Sequence, residues 1–228
     1  VGELMDPEHV LLMMVFRANS LAKGVSGIRF EIVEMLIEMI NSGIAPVVPR
    51  IGSLGASGDL APLSHMSLAL LGEGECMVRY PDNSESESGW HRMTSLEALT
   101  LAGLNPVKLQ AKEGLSLING TSQMCAYLGI TLLNMERLVF GADASAACSV
   151  EAIRGSHAPF DPRLHQNRPQ RGQSISAARI AEFVNDSEIN ESHSNCDRVQ
   201  DAYCFRCAPQ VHGPVIDLIS ETRRMLEI

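Results

Sequence analysis

The chain is poor in large aromatic rings and in positive charge. One Trp and three Tyr stand beside 11 Met and many Ala and Leu in a sequence that is 45% hydrophobic, a balance that favours a helical bundle. The 18 Lys and Arg are outnumbered by 27 Asp and Glu, a formal net charge of -9, so the basic stripe that a nucleic-acid surface requires is missing. No apolar run is long enough to cross a bilayer, and no basic-then-apolar leader precedes a small-residue cleavage site. The expectation is a cytoplasmic protein with neither nucleic-acid nor membrane partners. Six Cys scattered through 228 residues do not make a disulfide scaffold and are expected as reduced thiols.

A chain of this length can bury a substantial core. It shows no internal repeat and no linker, and reads as a single unit over 1–228 that begins on the approach to one helix and stops inside another, as a piece of a longer chain would. Pro7 opens a helix with Val10, Leu11, Met14, Val15, Ala18 and Leu21 at helical spacing, and Gly24 ends it. A second helix, Gly27 to Ile40, sets Ile32, Met35, Leu36 and Met39 against Glu31, Glu34 and Glu38, so the pair forms an αα-hairpin with a Met-rich core face. Gly43, Pro46 and Pro49 break the chain before a short helix from Leu60 to Leu71. Around residues 75–93 a small irregular excursion leaves the bundle, with a short strand at Glu75–Tyr80 and a polar turn at Pro81–Gly89. Thr94 or Ser95 then caps a helix through Leu101.

Glu113 to about Phe140 reads as one helix containing Gly114, Gly120 and Gly129. Each interior glycine costs about 1 kcal/mol against Ala, so these need a reason: close helix contact or approach to a site. Ala142–Ile153 continues the helix, Ser156–Gln173 reads as an ordered loop, and Ile175–Val184 as a short helix. Asn185–Asp197 is polar enough to be expected mobile. Apolar periodicity returns after Pro209. The fold class is mainly α.

The stretch with most chemical content is Gly52-Ser53-Leu54-Gly55-Ala56-Ser57-Gly58-Asp59. Three glycines free the backbone for turns and close approaches, and Asp59 stands where a helix N-cap would. With so little side-chain bulk, the Gly58 nitrogen can reach the Ala56 carbonyl carbon and close a five-membered ring. Loss of water from that ring and from Ser57 leaves an exocyclic methylene, an electrophile that no ordinary side chain supplies.

Eleven consecutive residues, Gly55-Ala56-Ser57-Gly58-Asp59-Leu60-Ala61-Pro62-Leu63-Ser64-His65, resemble the signature of the aromatic amino acid ammonia-lyases and aminomutases, whose prosthetic group is this methylidene-imidazolone (MIO). The resemblance runs from Arg17-Ala18-Asn19-Ser20-Leu21-Ala22-Lys23-Gly24 to the last helix, and is strongest toward the histidine ammonia-lyases. It implies non-oxidative loss of ammonia from histidine to give urocanate. Asn119, in Leu117-Ile118-Asn119-Gly120-Thr121-Ser122, matches the family's Asn-Gly-Thr, which the resemblance assigns to the electrophile and the substrate amine. From the residues alone an Asn in an apolar helix is exposed, hydrogen-bonded glue, or part of a site. In Val199-Gln200-Asp201-Ala202-Tyr203, followed by Arg206-Cys207 and Pro209-Gln210-Val211-His212-Gly213, the resemblance places Gln200 and Tyr203 beside the electrophile and Arg206 on the substrate carboxylate. An Arg fork suits a carboxylate, and a phenol can move a proton.

Glu151-Ala152-Ile153-Arg154-Gly155-Ser156 and Pro159-Phe160-Asp161-Pro162-Arg163-Leu164-His165 continue the likeness. His157 and His165 are expected as loop hydrogen-bonding residues, and His65 as core or support for the glycine loop. A different class of function rests on His193, Cys196, Cys204 and Cys207, two ligand pairs at zinc-site spacing, in a non-catalytic fragment. Within the family, a tyrosine or phenylalanine lyase or aminomutase competes, because Ser122 stands where many histidine enzymes have Gln. The resemblance further implies a homotetramer with shared active sites. It also implies that the family's catalytic base, on an N-terminal loop, and its C-terminal helices are absent from these 228 residues.

Overall fold

The structure is a computed structural model, and it describes residues 1–79 and 89–228. The described residues are mainly helical and fall into two compact units, Val1–Ile130 and Thr131–Ile228.

In the first unit, α1 (Pro7–Ala22) starts where Pro7 predicts, with Asp6 as N-cap accepting from the Glu8 amide at 2.9 Å. The next helix, α2 (Phe30–Asn41), begins later than the expected Gly27, because Gly27 takes a φ of +66° that an α-helix excludes. Met13, Met14, Ile32, Leu36 and Met39 are buried, so the Met-rich face is core. The short strand β1 (Ile44–Pro46), unforeseen in the Gly/Pro stretch, lies at a sheet edge, where Pro46 costs no ladder bond. After it, α3 (Leu60–Leu70) buries Leu63, Met66 and Leu70. The excursion is an antiparallel sheet of order β1-β2-β3, in which β2 (Glu75–Arg79) lies between β1 and β3 (Trp90–Thr94), registering Ile44 with Val78 and Met77 with Arg92. Tyr80 and most of the expected turn, residues 80–88, lie outside the described residues. Thr94 is the cap of α4 (Ser95–Leu101), in a reciprocal capping box with Glu97.

Glu113, buried at the start of α5 (Glu113–Ile118), takes the Arg29 guanidinium at 2.8 and 2.9 Å and also accepts from the Arg29 and Gln110 amides. Those hydrogen bonds, the Arg29 fork first, hold its carboxyl at about 2 and tie the approach to α2 to the start of α5. The single helix expected from Glu113 to Phe140 is two: α5 stops at Ile118 and α6 (Ser122–Ala152) restarts after a break at Asn119–Thr121. The physical cause of the break belongs to the site below.

The second unit contains α6 from Thr131 onward, a 3-10 turn (Ala158–Phe160), α7 (Pro162–Gln166), α8 (Arg171–Phe183), α9 (Glu188–Glu191), α10 (Tyr203–Arg206) and α11 (Ala208–Leu226). The loop expected over Ser156–Gln173 thus holds a 3-10 turn and α7, opened by Asp161 as N-cap and Pro162 as first residue. The polar stretch 185–197, expected mobile, carries α9 with Ser187 as its cap. Helices α8 and α11 touch through glycines: a Cβ on Gly172 would lie 2.0 Å from the Gly213 carbonyl oxygen, and one on Gly213 would lie 2.5 Å from the Gln173 nitrogen. Val150, Phe160 and Ile180 form the apolar centre. Buried Asp143 on α6 accepts from Ser176 on α8 and from His212 Nδ1 on α11 at 2.8 Å, a polar pin through the three helices.

Candidate active site

Residues 52–59 form a loop without regular structure. Gly55 and Gly58 have φ of +77° and +104°, in the region that side chains rarely enter. Ser53 braces the turn: its Oγ accepts from the Gly55 amide at 3.1 Å and donates to Asp59 Oδ1 at 3.1 Å. Ala56 and Ser57 are exposed, and the Ser57 hydroxyl has no hydrogen-bond partner among the described residues.

Asp59 does stand at the N-cap position of α3, but its side chain makes no capping bond there. Fully buried, it instead accepts at Oδ2 from the amides of Gln123 (2.7 Å) and Met124 (3.1 Å), in the first turn of α6. A carboxylate is the strongest neutraliser of the orphan amides and partial positive charge at a helix start. The Asp59 amide itself donates to the Gly120 carbonyl oxygen at 2.6 Å. Beside that bond, a Cβ on Gly58 would lie 2.6 Å from Gly120 O and 2.9 Å from Gly120 N, so the two backbones touch where only glycine fits. Two motifs some sixty residues apart in sequence therefore form one object.

The other end of the break is held by Arg17. This buried arginine on α1 donates from NH2 to the Ser116 carbonyl at 2.9 Å and from NH1 to the Asn119 carbonyl at 3.1 Å, taking up acceptors that α5 leaves open as it ends. Asn119 has an extended ψ of 101° at that C-terminus rather than a helical one. Its carboxamide is exposed and unpartnered among the described residues, which disposes of the glue reading. Gly120 is small for two reasons: it faces Gly58, and a Cβ on it would sit 1.9 Å from Arg17 NH1.

The second cluster lies in the other unit. Asp201, itself accepting from the Ser156 amide at 2.7 Å, pins residues 199–206 to the turn that follows α6. Arg206 stacks on Tyr203 with 4.5 Å from guanidinium carbon to ring centroid, and its Nε is buried with no hydrogen-bond partner among the described residues. Gln200 and Arg206 line one cleft of about 350 Å³ with Ser156, Pro159, Leu164 and Gln210. Tyr203 is 74% exposed and Gln200 is exposed as well. Arg206 lines this cleft and makes no ion pair among the described residues, so its guanidinium is disposed to take a carboxylate.

Sequence reasoning missed Arg17 and Ser53 as site-forming residues; it expected close contact at Gly120 and placed Asp59 at the start of α3, but did not foresee the bonds from Asp59 to α6. The signal for Arg17 was present, since an arginine within the buried stripe Met14, Ala18, Leu21 demands buried acceptors. His65 is exposed, not core. His165 is buried between the Pro159 carbonyl (3.0 Å) and Gln173 (2.9 Å), and His157 meets Glu151, as loop-bracing residues do. His193, Cys196, Cys204 and Cys207 do not assemble into a zinc site. Among the described residues no three His, Cys, Asp or Glu side chains are grouped to hold a metal.

Comparison with known proteins bears on the whole chain. The family model described as aromatic amino acid lyase matches residues 1–228. The histidine ammonia-lyase of Vibrio cholerae is 48% identical over 229 residues, covering 100% of this chain and 43% of that protein. The crystal structure of histidine ammonia-lyase from Trypanosoma cruzi superposes with a TM-score of 0.78 at 36% identity, over 96% of this chain and 38% of that one. The phenylalanine aminomutase of Pantoea agglomerans gives a TM-score of 0.82 at 34% identity, over 99% of this chain and 45% of that one. The chain thus spans less than half the length of the relatives it matches, and it belongs to the aromatic amino acid lyase family.

Proposed function

We propose that these 228 residues are part of the catalytic domain of a histidine ammonia-lyase, a carbon-nitrogen lyase that releases ammonia non-oxidatively and yields urocanate. The observation that carries the reading is the joining of the Ala56-Ser57-Gly58 loop to Asn119-Gly120 through the Gly58–Gly120 backbone contact. The MIO group fits that loop. Gly58 lies where a Cβ would strike the Gly120 main chain, and the Ser57 hydroxyl that must leave is exposed and unengaged among the described residues. Once formed, the group supplies an electrophile strong enough to turn an amine into a good leaving group.

The chain's own residues bind and orient. Arg206 holds the substrate carboxylate by a two-point fork, which fixes the position of the α-carbon. Asn119, its carboxamide free, hydrogen-bonds the substrate amine. Tyr203 holds or moves a proton, and Gln200 offers an uncharged hydrogen bond beside it. The active protein is a homotetramer.

Ser122 favours the second reading, a lyase or aminomutase for tyrosine or phenylalanine. Ser122 is buried at the first turn of α6, so its identity bears on packing more directly than on substrate. An absorbance scan of the whole protein that carries this chain, with histidine, tyrosine and phenylalanine, separates the readings by which unsaturated acid appears; urocanate from histidine alone is expected. Intact mass tests the group: the protein is expected lighter than its sequence by two waters, and Ser57→Ala at full mass and without activity. An unshifted wild-type mass, or full activity in Ser57→Ala, refutes the proposal.

A further inference from the structure

Arg17 is 3% exposed on the buried stripe of α1, and no carboxylate pairs with it among the described residues. Among the described residues its hydrogen bonds go only to main-chain carbonyls, those of Ser116 and Asn119, and its Nε is buried without a partner. Burial pushes its pKa down. Placing a charge in the interior against neutral acceptors alone is costly. An apolar side chain between Met14 and Leu21 would pack there without that cost, so the guanidinium answers a need that packing does not.

That need is visible in what Arg17 touches. Its NH1 fills the space of a Gly120 side chain, and Gly120 in turn abuts Gly58 and accepts from the Asp59 amide at 2.6 Å. The guanidinium, the Asn119–Gly120 main chain and the Gly58–Asp59 main chain are successive contacts. Ser53 and Asp59 brace the loop from its other end. A backbone pinned on both sides cannot drift away from Gly58 when the loop tightens.

We propose that Arg17 is a positioning residue for ring formation, holding the Asn119–Gly120 main chain against Gly58 while the loop closes; this rests on the lyase reading above. In that closure the Gly58 nitrogen bonds to the Ala56 carbonyl carbon. The Ala56 oxygen leaves as water with the amide hydrogens of Gly58 and Ser57, and the Ser57 hydroxyl leaves as a second water with its own Cα hydrogen. No oxidant is required, and Arg17 forms no bond to the reacting atoms.

The test follows loss of two waters over time by intact mass in wild type, Arg17→Met, Arg17→Lys and Gly120→Ala, with circular dichroism to confirm folding. Arg17→Met, losing two charge-assisted hydrogen bonds, is expected to mature at least about tenfold more slowly. Arg17→Lys, able to reach one carbonyl, falls between. Gly120→Ala, whose methyl displaces NH1, is slow although Arg17 remains. A merely structural role would lower the melting temperature and leave the maturation rate of folded protein at the wild-type value. That result in Arg17→Met overturns the proposal. Where Arg17→Met does not fold, wild-type rates in both Arg17→Lys and Gly120→Ala overturn it. A wild type that never loses the waters fails at the lyase reading itself, which the variants' rates cannot mimic.

Discussion

Replacing Asp59 by Ala removes the carboxylate that serves two elements at once. It accepts the Gln123 amide at 2.7 Å and the Met124 amide at 3.1 Å, and braces the Ser53 hydroxyl at 3.1 Å. The Gln123 bond is buried, so its orphaned amide finds no water, whereas the Met124 bond is part-buried and its amide loses less. One buried donor left unsatisfied costs about 1–3 kcal/mol, and loss of a helix cap about 0.5–2 kcal/mol, so Asp59→Ala should cost about 2–4 kcal/mol. At about 2–4 °C per kcal/mol for a chain of this size, the melting temperature should fall by about 5–15 °C. Asp59→Asn keeps one acceptor oxygen in nearly the same place and should lose less than half as much. Urea unfolding measures the difference as a lower midpoint at unchanged slope. A loss below about 0.5 kcal/mol in Asp59→Ala, the range of a neutral surface change, would show that the α6 start does not depend on this carboxylate.

Three further outcomes are expected. Glu113 has its carboxyl pKa lowered from 4.5 to about 2, so its pairing stabilises the folded state above about pH 4.5 and the benefit drains away as pH falls toward 2. The gap in urea midpoint between wild type and Glu113→Gln should close over that window, and a constant gap would refute the assignment. Gly172→Ala places a methyl 2.0 Å from the Gly213 oxygen, a backbone atom that cannot swing aside, and should destabilise by about 3 kcal/mol or more in thermal unfolding. In the whole protein, Arg206→Lys gives up the planar fork and should raise KM for histidine about tenfold, by loss of about 1.4 kcal/mol, with a smaller change in kcat. An unchanged KM would remove Arg206 as the carboxylate anchor.

The sequence exposed the helices wherever a stop signal and a periodic stripe coincided. Pro7, Thr94 with Glu97, and the apolar spacing of Ile32, Leu36 and Met39 are local signals, and the structure places α1, α4 and α2 accordingly. Failures occurred where a distant residue decided the local outcome. Glu113 to Phe140 has unbroken helical periodicity, yet the helix stops at Ile118, because Arg17 takes the open carbonyls of α5 and Asp59 caps α6. Neither partner can be found from the local sequence. Strand β1, only Ile44 to Pro46, was hidden for the same reason, since its pairing with β2 is what makes it a strand. The Ala-Ser-Gly and Asn-Gly-Thr segments were conspicuous as motifs, but their mutual contact is a property of folded backbone.

The two ends of the helix break separate structural polar groups from those available for chemistry. Arg17 takes carbonyls that α5 leaves unpaired, Asp59 takes amides that α6 leaves unpaired, and Ser53 is spent on the turn. Each of these side chains is committed to main chain or to another of the three, so altering one should first change where the loop sits. Ser57 and Asn119 carry the opposite signature, exposed with no side-chain partner among the described residues, although Gly55 and Asp59 near the one and Gly120 beside the other are held. An exposed polar group that no protein group engages is bonded to water, which it can exchange for a ligand or give up in a reaction. On that physical ground ring chemistry is proposed for Ser57 and substrate contact for Asn119, while Arg17, Ser53 and Asp59 hold them where the reaction needs them.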